Sequence, residues 1–222
     1  MEEIVHIIPL GIEYDRATIP FEGIGGFKAN RVYLLTTSRS DTAPSEVISQ
    51  HREMAERVKA FLKKQNIEVV VVETKLIDLL DVMRKISNII YREKKSGNNV
   101  YVNLSSAGRL TSIGAALAGM FHNIKTYYVK ADGYSETEQE RKEHGITICK
   151  KRELIFLENF EIMKPNDLES EVIVEIYRKE KMRTIDIIEF LSKSNVKGFN
   201  VNFFTLRRTQ KTALLMRLTE KS

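Results

Sequence analysis

The chain has 222 residues, 42% hydrophobic and 29% charged, with four prolines, no tryptophan and a net charge of +5, a balance that excludes extensive disorder and suffices for a buried core. The single cysteine, Cys149, excludes an internal disulfide framework and fits a reducing compartment. No run approaches the roughly 18 apolar residues of a spanning helix, and the opening MEEIVHIIPLG carries acids where a secretory leader carries bases, so a cytoplasmic protein with no membrane partner is expected.

In chain order, short runs rich in Ile, Val and Tyr predict strands at Ile4–Leu10, Arg31–Thr36, Ile67–Glu73, Asn99–Leu104 and Thr126–Lys130. Helical spacing fills the intervals Ser45–Gln65, Leu76–Lys95 and Arg109–His122. Pro44 and Ser45 open the first of these helices, and Gly97 closes the second. Strand and helix in alternation give an α/β fold, a mostly parallel sheet with helices on both faces. Between Asp15 and Asn30, Pro20, Gly23, Gly25 and Gly26 argue against a long helix, and GIGG precedes a strand where a phosphate loop would follow one. Beyond Lys130 the polar stretch ADGYSETEQERKEHG predicts a charged loop or a short exposed helix, and Gly145–Lys150 a further strand.

A boundary near Pro165 gives units of 1–164 and 165–222. The second predicts helices at Leu168–Glu180, Thr184–Ser192 and Asn202–Leu218; a hairpin of Val201–Arg207 with Thr212–Leu218 competes for the last. Val172, Ile173, Ile176 and Tyr177 are expected to share a core with Ile185, Ile187, Ile188, Phe190 and Leu191. From Arg178 to Ser222, eleven Lys/Arg stand against four acids, an excess of +7, so the tail carries the positive charge and the rest is slightly acidic.

Ligands of open α/β sheets bind beyond the carboxyl ends of the strands. Two polar loops lie there: Gly11, Glu13, Tyr14, Asp15 and Arg16 after the first strand, and Asn103, Ser105, Ser106, Gly108 and Arg109 after the fourth. The second suits an anion, because helix N-terminal amides are unsatisfied, serine hydroxyls can donate to phosphate, and a guanidinium can close over it. Plain helix capping by the serines, and an ion pair of Asp15 with Arg16, are the competing structural readings. The small residues Gly114, Ala115, Ala116, Ala118 and Gly119 allow close approach to the sheet or to a second copy. The four histidines, His6, His51, His122 and His144, are scattered without zinc spacing, and no Gly-x-Ser-x-Gly elbow occurs, so no metal, no resident cofactor and no catalytic residue is predicted.

The segments VHIIPLGIEYDRATIP, ANRVYLL, VYVNLSSAGRLTSIGAALAGMF and TYYVKADGY, in that order over residues 4–134, resemble archaeal transcriptional regulators. These join a CRISPR-associated Rossmann fold (CARF) domain to a C-terminal winged-helix domain. The resemblance implies a homodimeric sensor with a Rossmann-like domain, whose shared pocket takes a cyclic oligoadenylate or related nucleotide. It places Gly11, Tyr14, Asp15 and Arg16 in one ligand-facing loop and Asn103, Ser105, Ser106, Gly108 and Arg109 in the other. Relatives carry Ser-Ser-Gly, a small residue and lysine; here Ala107 and Gly108 exchange places and Arg109 stands for the lysine. TIDIIEFLSK and FFTLRRTQKTALLMRL are similar to the second and third helices of the winged-helix unit, though the chain ends before an obvious wing. Arg207, Arg208 and Lys211 are then the expected DNA contacts.

Two rivals follow from the same resemblance. One is a ring nuclease that cleaves cyclic oligoadenylate in the pocket, and the other is a protein-interaction module without DNA binding. A fused HEPN-type RNase is disfavoured, since residues 151–222 contain no histidine.

Overall fold

The apolar runs fold as predicted in kind, with small shifts at their ends. The computed structural model describes residues 2–23, 26–38, 44–159, 165 and 167–193. In chain order they form β1 (Ile4–Pro9), α1 (Asp15–Thr18) with a 3-10 turn at Ile19–Phe21, β2 (Arg31–Thr37), α2 (Ser45–Lys64), β3 (Glu68–Thr74), α3 (Leu79–Lys95), β4 (Asn99–Asn103), α4 (Arg109–Phe121) and β5 (Lys125–Val129). There follow β6 (Gly133–Tyr134), α5 (Glu138–His144), β7 (Thr147–Ile148), β8 (Leu154–Leu157), α6 (Asp167–Lys179) and α7 (Thr184–Lys193). Two compact units result, Met1–Ile162 and Met163–Ser222.

In the first unit the main sheet runs β3-β2-β1-β4-β5-β8. Its first five strands are parallel, as in the pairing of Ile7 with Tyr33 on one side and Val102 on the other, and β8 is antiparallel to β5. This is a Rossmann-like α/β sheet, in which chain direction across the sheet reverses between β1 and β4. Odd positions of β1, Val5 and Ile7, pack with Val82, Ile86, Ile90, Ala115 and Ala118 of α3 and α4. Even position Ile8 packs on the opposite face with Met54, Val58 and Leu62 of α2. Helices on both faces are therefore what the period-2 strands demand.

Helix starts follow local chemistry. Asp78 accepts from the amides of Leu80 and Asp81, which starts α3 at Leu79, three residues later than periodicity predicts. Thr137 and Glu140 form a capping box on α5, the short exposed helix of the polar stretch. The glycines of α4 pack closely within the chain. A Cβ on Gly119 would lie 2.3 Å from Thr126 Cγ2, and one on Gly114 3.1 Å from the Leu79 carbonyl.

Two expectations change. Of Gly145–Lys150 only Thr147–Ile148 is extended, and it pairs with Gly133–Tyr134 in a separate two-stranded ribbon. The sixth strand of the main sheet is instead Leu154–Leu157, a four-residue run between charged neighbours, too short to announce itself by periodicity. In the second unit Ile173, Tyr177 and Ile185 are exposed while Ile188 and Leu191 are buried, so the expected common core is smaller. The predicted third helix and its rival hairpin, with Arg207, Arg208 and Lys211, lie outside the described residues.

Candidate functional site

The carboxyl ends of β1 and β4 flank the point where the sheet reverses, and both polar loops meet there. Their contact is direct: the Gly11 amide donates to the Ser106 carbonyl at 2.7 Å, and Ser106 Oγ donates to the Pro9 carbonyl at 3.0 Å. Asn103 is fully buried and stitches the junction from within. Its Oδ1 accepts from the Ser105 amide at 2.8 Å and the Ser105 hydroxyl at 2.7 Å, while its Nδ2 donates to the Arg16 carbonyl at 2.9 Å. Ser105 Oγ also accepts from the Val129 amide at 3.1 Å. Both serine hydroxyl protons are thus spent on internal acceptors, and neither serine caps α4, whose N-cap is Gly108 with no side-chain bond.

Outward from Ser106 the loop opens. Gly108 and Arg109 are exposed, and a Cβ at Gly108 would meet nothing within 4 Å. The uncapped amides of α4 face this open space with the positive end of the helix dipole behind them.

The first loop is differently occupied. Asp15 and Arg16 make no ion pair with each other. Asp15 is buried and accepts from His144 Nδ1 at 3.0 Å and the Cys149 amide at 2.9 Å. Glu13, also buried, accepts from the Thr147 hydroxyl at 2.7 Å and amide at 3.2 Å, and burial pushes its carboxyl above the ordinary range. Backbone bonds continue the seam, Tyr14 to His144 at 3.0 Å and Ile146 to Ile12 at 3.0 Å. Gly145, at φ +90°, closes it, for a Cβ there would lie 2.6 Å from the Ile12 carbonyl. Both carboxylates of this loop therefore hold down the segment β6-α5-β7. Sequence spacing gave no sign of these partners, because they lie about 130 residues away.

Arg16 lies nearest the other loop. Its Nη1 donates to the Ser105 carbonyl at 3.0 Å, its guanidinium lies 5.0 Å over the Tyr128 ring, and Glu13 is 3.9 Å away. Its Nε is buried and finds no acceptor among the described residues. Tyr14 carries the Arg57 guanidinium over its ring at 4.6 Å. The open donors at the junction are thus the α4 amides and Arg109, with the charge of the largely buried Arg16 guanidinium behind them, a set that attracts anions.

A second feature lay unread in the sequence. On α4, Leu110, Ile113, Leu117 and Phe121 recur at intervals of three and four and are all more than a third exposed, with Ile77 and Leu80 exposed at the start of α3. Thr111 Oγ1 bonds the Leu76 carbonyl at 2.5 Å, which ties the two helix starts together. The apolar periodicity of α4 was legible, but not that one of its stripes faces away from the sheet.

Cys149 is buried, and burial pushes its thiol up to about 11, the reverse of an activated nucleophile. His6 is buried among Phe21, Phe27, Tyr101 and Tyr127, which pulls it down to about 3 and keeps the ring neutral. Among the described residues no group of three or more His, Cys, Asp or Glu could hold a metal ion, and no helix is long and apolar enough to cross a membrane.

A family model described as HFX_2341_N:-like, N-terminal matches residues 4–134, more than half of the chain. The uncharacterized protein MJ1513 of Methanocaldococcus jannaschii is 32% identical over 153 residues, covering 61% of this chain and 42% of that protein. The chain thus spans less than half the length of this relative. Among solved structures, Enterococcus italicus Csm6 bound to cyclic hexa-2'-fluoro-hexa-dAMP aligns with a TM-score of 0.50 at 11% identity, over 99% of this chain and 55% of that one. Can2 from Sulfobacillus thermosulfidooxidans in complex with cyclic tetra-adenylate aligns with a TM-score of 0.46 at 16% identity, over 58% of this chain and 32% of that one. At 11% identity the likeness to Csm6 is one of fold alone.

Proposed function

The chain belongs to the HFX_2341_N:-like, N-terminal family, and on that premise we propose that it is a CARF-type sensor, a homodimer that takes up a cyclic oligoadenylate-type nucleotide and adjusts DNA binding by its basic tail. The observation that carries this reading is the junction of the two loops. There the uncapped α4 terminus, the exposed Arg109 and the charge of the largely buried Arg16 converge at the reversal point of the sheet. A ligand with several phosphates and no apolar tail suits such donors, and the Csm6 structure of the same fold holds a cyclic nucleotide of that chemistry.

The dimer is supported by the exposed stripe of α4 with Ile77 and Leu80. A contiguous apolar surface of that kind favours a partner, and a two-fold contact through it would bring two α4 termini toward one ligand. DNA binding is supported by the excess of +7 in the last 45 residues, which favours contact with phosphate backbones. Arg207, Arg208 and Lys211 are its proposed contacts. The ligand changes DNA affinity only through a preference for one placement of the two tails over another.

A gel-shift titration of the full chain across salt tests the regulator half of this reading. Affinity should fall steeply with salt and change on addition of cyclic tetra- or hexa-adenylate. Failure to bind any duplex at low salt, or binding indifferent to both salt and ligand, overturns it.

A further inference from the structure

We infer that the groove between α2 and α5 is a second ligand site, one that takes a ribonucleoside monophosphate. The inference does not rest on the preceding reading, since the groove has a volume of about 580 Å³ and none of residues 103–109 lines it. Such a volume lies in the ordinary range for small-molecule pockets.

Two helix faces form its walls. Gln50, Glu53, Met54 and Arg57 share one face of α2, each three or four residues from another of the set, and Glu138, Arg141 and Lys142 share a face of α5 in the same way. The floor is Ile12 and Ile146, joined by the backbone bond between them. Arg57 fixes the width: it stacks on Tyr14 and donates to the carbonyls of Lys142 and Glu143, the latter at 2.9 Å. Its charge therefore sits on the last carbonyls of α5 and offsets the negative end of that helix. Arg141 and Lys142 are left facing the groove, and among the described residues neither makes an ion pair, nor do Glu53 and Glu138.

Unpaired charges of both signs around an apolar floor select the ligand. A phosphate dianion answers Arg141 and Lys142; exocyclic amine and ribose hydroxyl donors answer Glu53 and Glu138; a flat base covers Met54, Ile12 and Ile146. A fatty acid would answer the cations and the floor but make no use of Glu53 and Glu138, which line the same groove. A nucleoside monophosphate supplies all three groups within one molecule of fitting size.

The test titrates the full chain with the four ribonucleoside 5'-monophosphates, followed by saturation-transfer NMR and calorimetry. At least one should bind, with affinity lowered tenfold or more in the double variant Arg141→Glu, Lys142→Glu and unchanged in Arg109→Ala. Both basic side chains are exposed, so the fold should tolerate the reversal; Lys142→Ala serves if the double variant does not fold. Absence of binding by all four at millimolar concentration overturns the inference. So does binding that survives charge reversal, or that is lost in Arg109→Ala instead, which would place the nucleotide at the loop junction.

Discussion

The two loops that meet at the reversal of the sheet read alike in sequence, each a short polar turn with a glycine and an arginine, yet they are built for different work. In the loop after β1 the acidic side chains are turned inward and bound to a segment about 130 residues away. In the loop after β4 the inner half is locked by Asn103 and the serines, and the outer half, Gly108 and Arg109, is left to solvent. A polar residue beyond a strand end is thus a ligand candidate only when its hydrogen-bonding capacity is unspent. Most of GIEYDR and NLSSAGR is scaffold, and a short exposed edge remains for chemistry.

If so, substitutions in the inner set should cost stability and those at the edge should cost ligand. The largest stability loss is expected for Gly145→Ala, which forces a Cβ against the Ile12 carbonyl at positive φ and should cost about 3 kcal/mol in a urea melt. Asn103→Ala strands three partners in a buried site and should cost about 2 kcal/mol; a loss under about 0.5 kcal/mol would show that the junction is not held from within.

Two of the buried ionisable groups, His6 and Glu13, should respond to pH with opposite sign. His6 takes up its proton at about 3 when folded and at the ordinary 6.5 when unfolded, so its contribution is fully present above 6.5 and drains by about 1.4 kcal/mol per pH unit below that, toward 3. His6→Phe should flatten that acid limb in pH-dependent melts. Glu13 has a folded pKa raised above its ordinary value of 4.5, so its contribution is complete below 4.5 and is lost as pH rises through the folded value. Glu13→Gln keeps an acceptor for Thr147 and should gain stability relative to the native chain as pH rises above 4.5, a smaller effect; a relative loss there would mean the charge itself binds the segment.

Much of the fold was legible because strand and helix periods differ and because the strands are long enough to show theirs. Ile4–Leu10 and Arg31–Thr36 declare themselves as buried strands, and Arg109–His122 as a helix after a loop. Leu154–Leu157 did not, since four residues beside Lys150–Glu153 carry no period. The meeting of the two polar loops was legible as well, for strand order brings the carboxyl ends of β1 and β4 side by side once the sheet is known to be parallel. Which of its residues face outward was not, because Ser105, Asp15 and Glu13 are committed by contacts far apart in the chain. Nor was the outward stripe of Leu110, Ile113, Leu117 and Phe121, whose spacing is that of any core-facing helix.

The most direct test of the central claim is isothermal calorimetry of Arg109→Ala against the native chain with cyclic tetra- and hexa-adenylate. Arg109 is exposed, so melting should change by less than about 0.5 kcal/mol, while affinity for the bound ring should fall at least tenfold. Equal uptake by both proteins, or none by the native chain, would contradict an anion held where β4 gives way to α4.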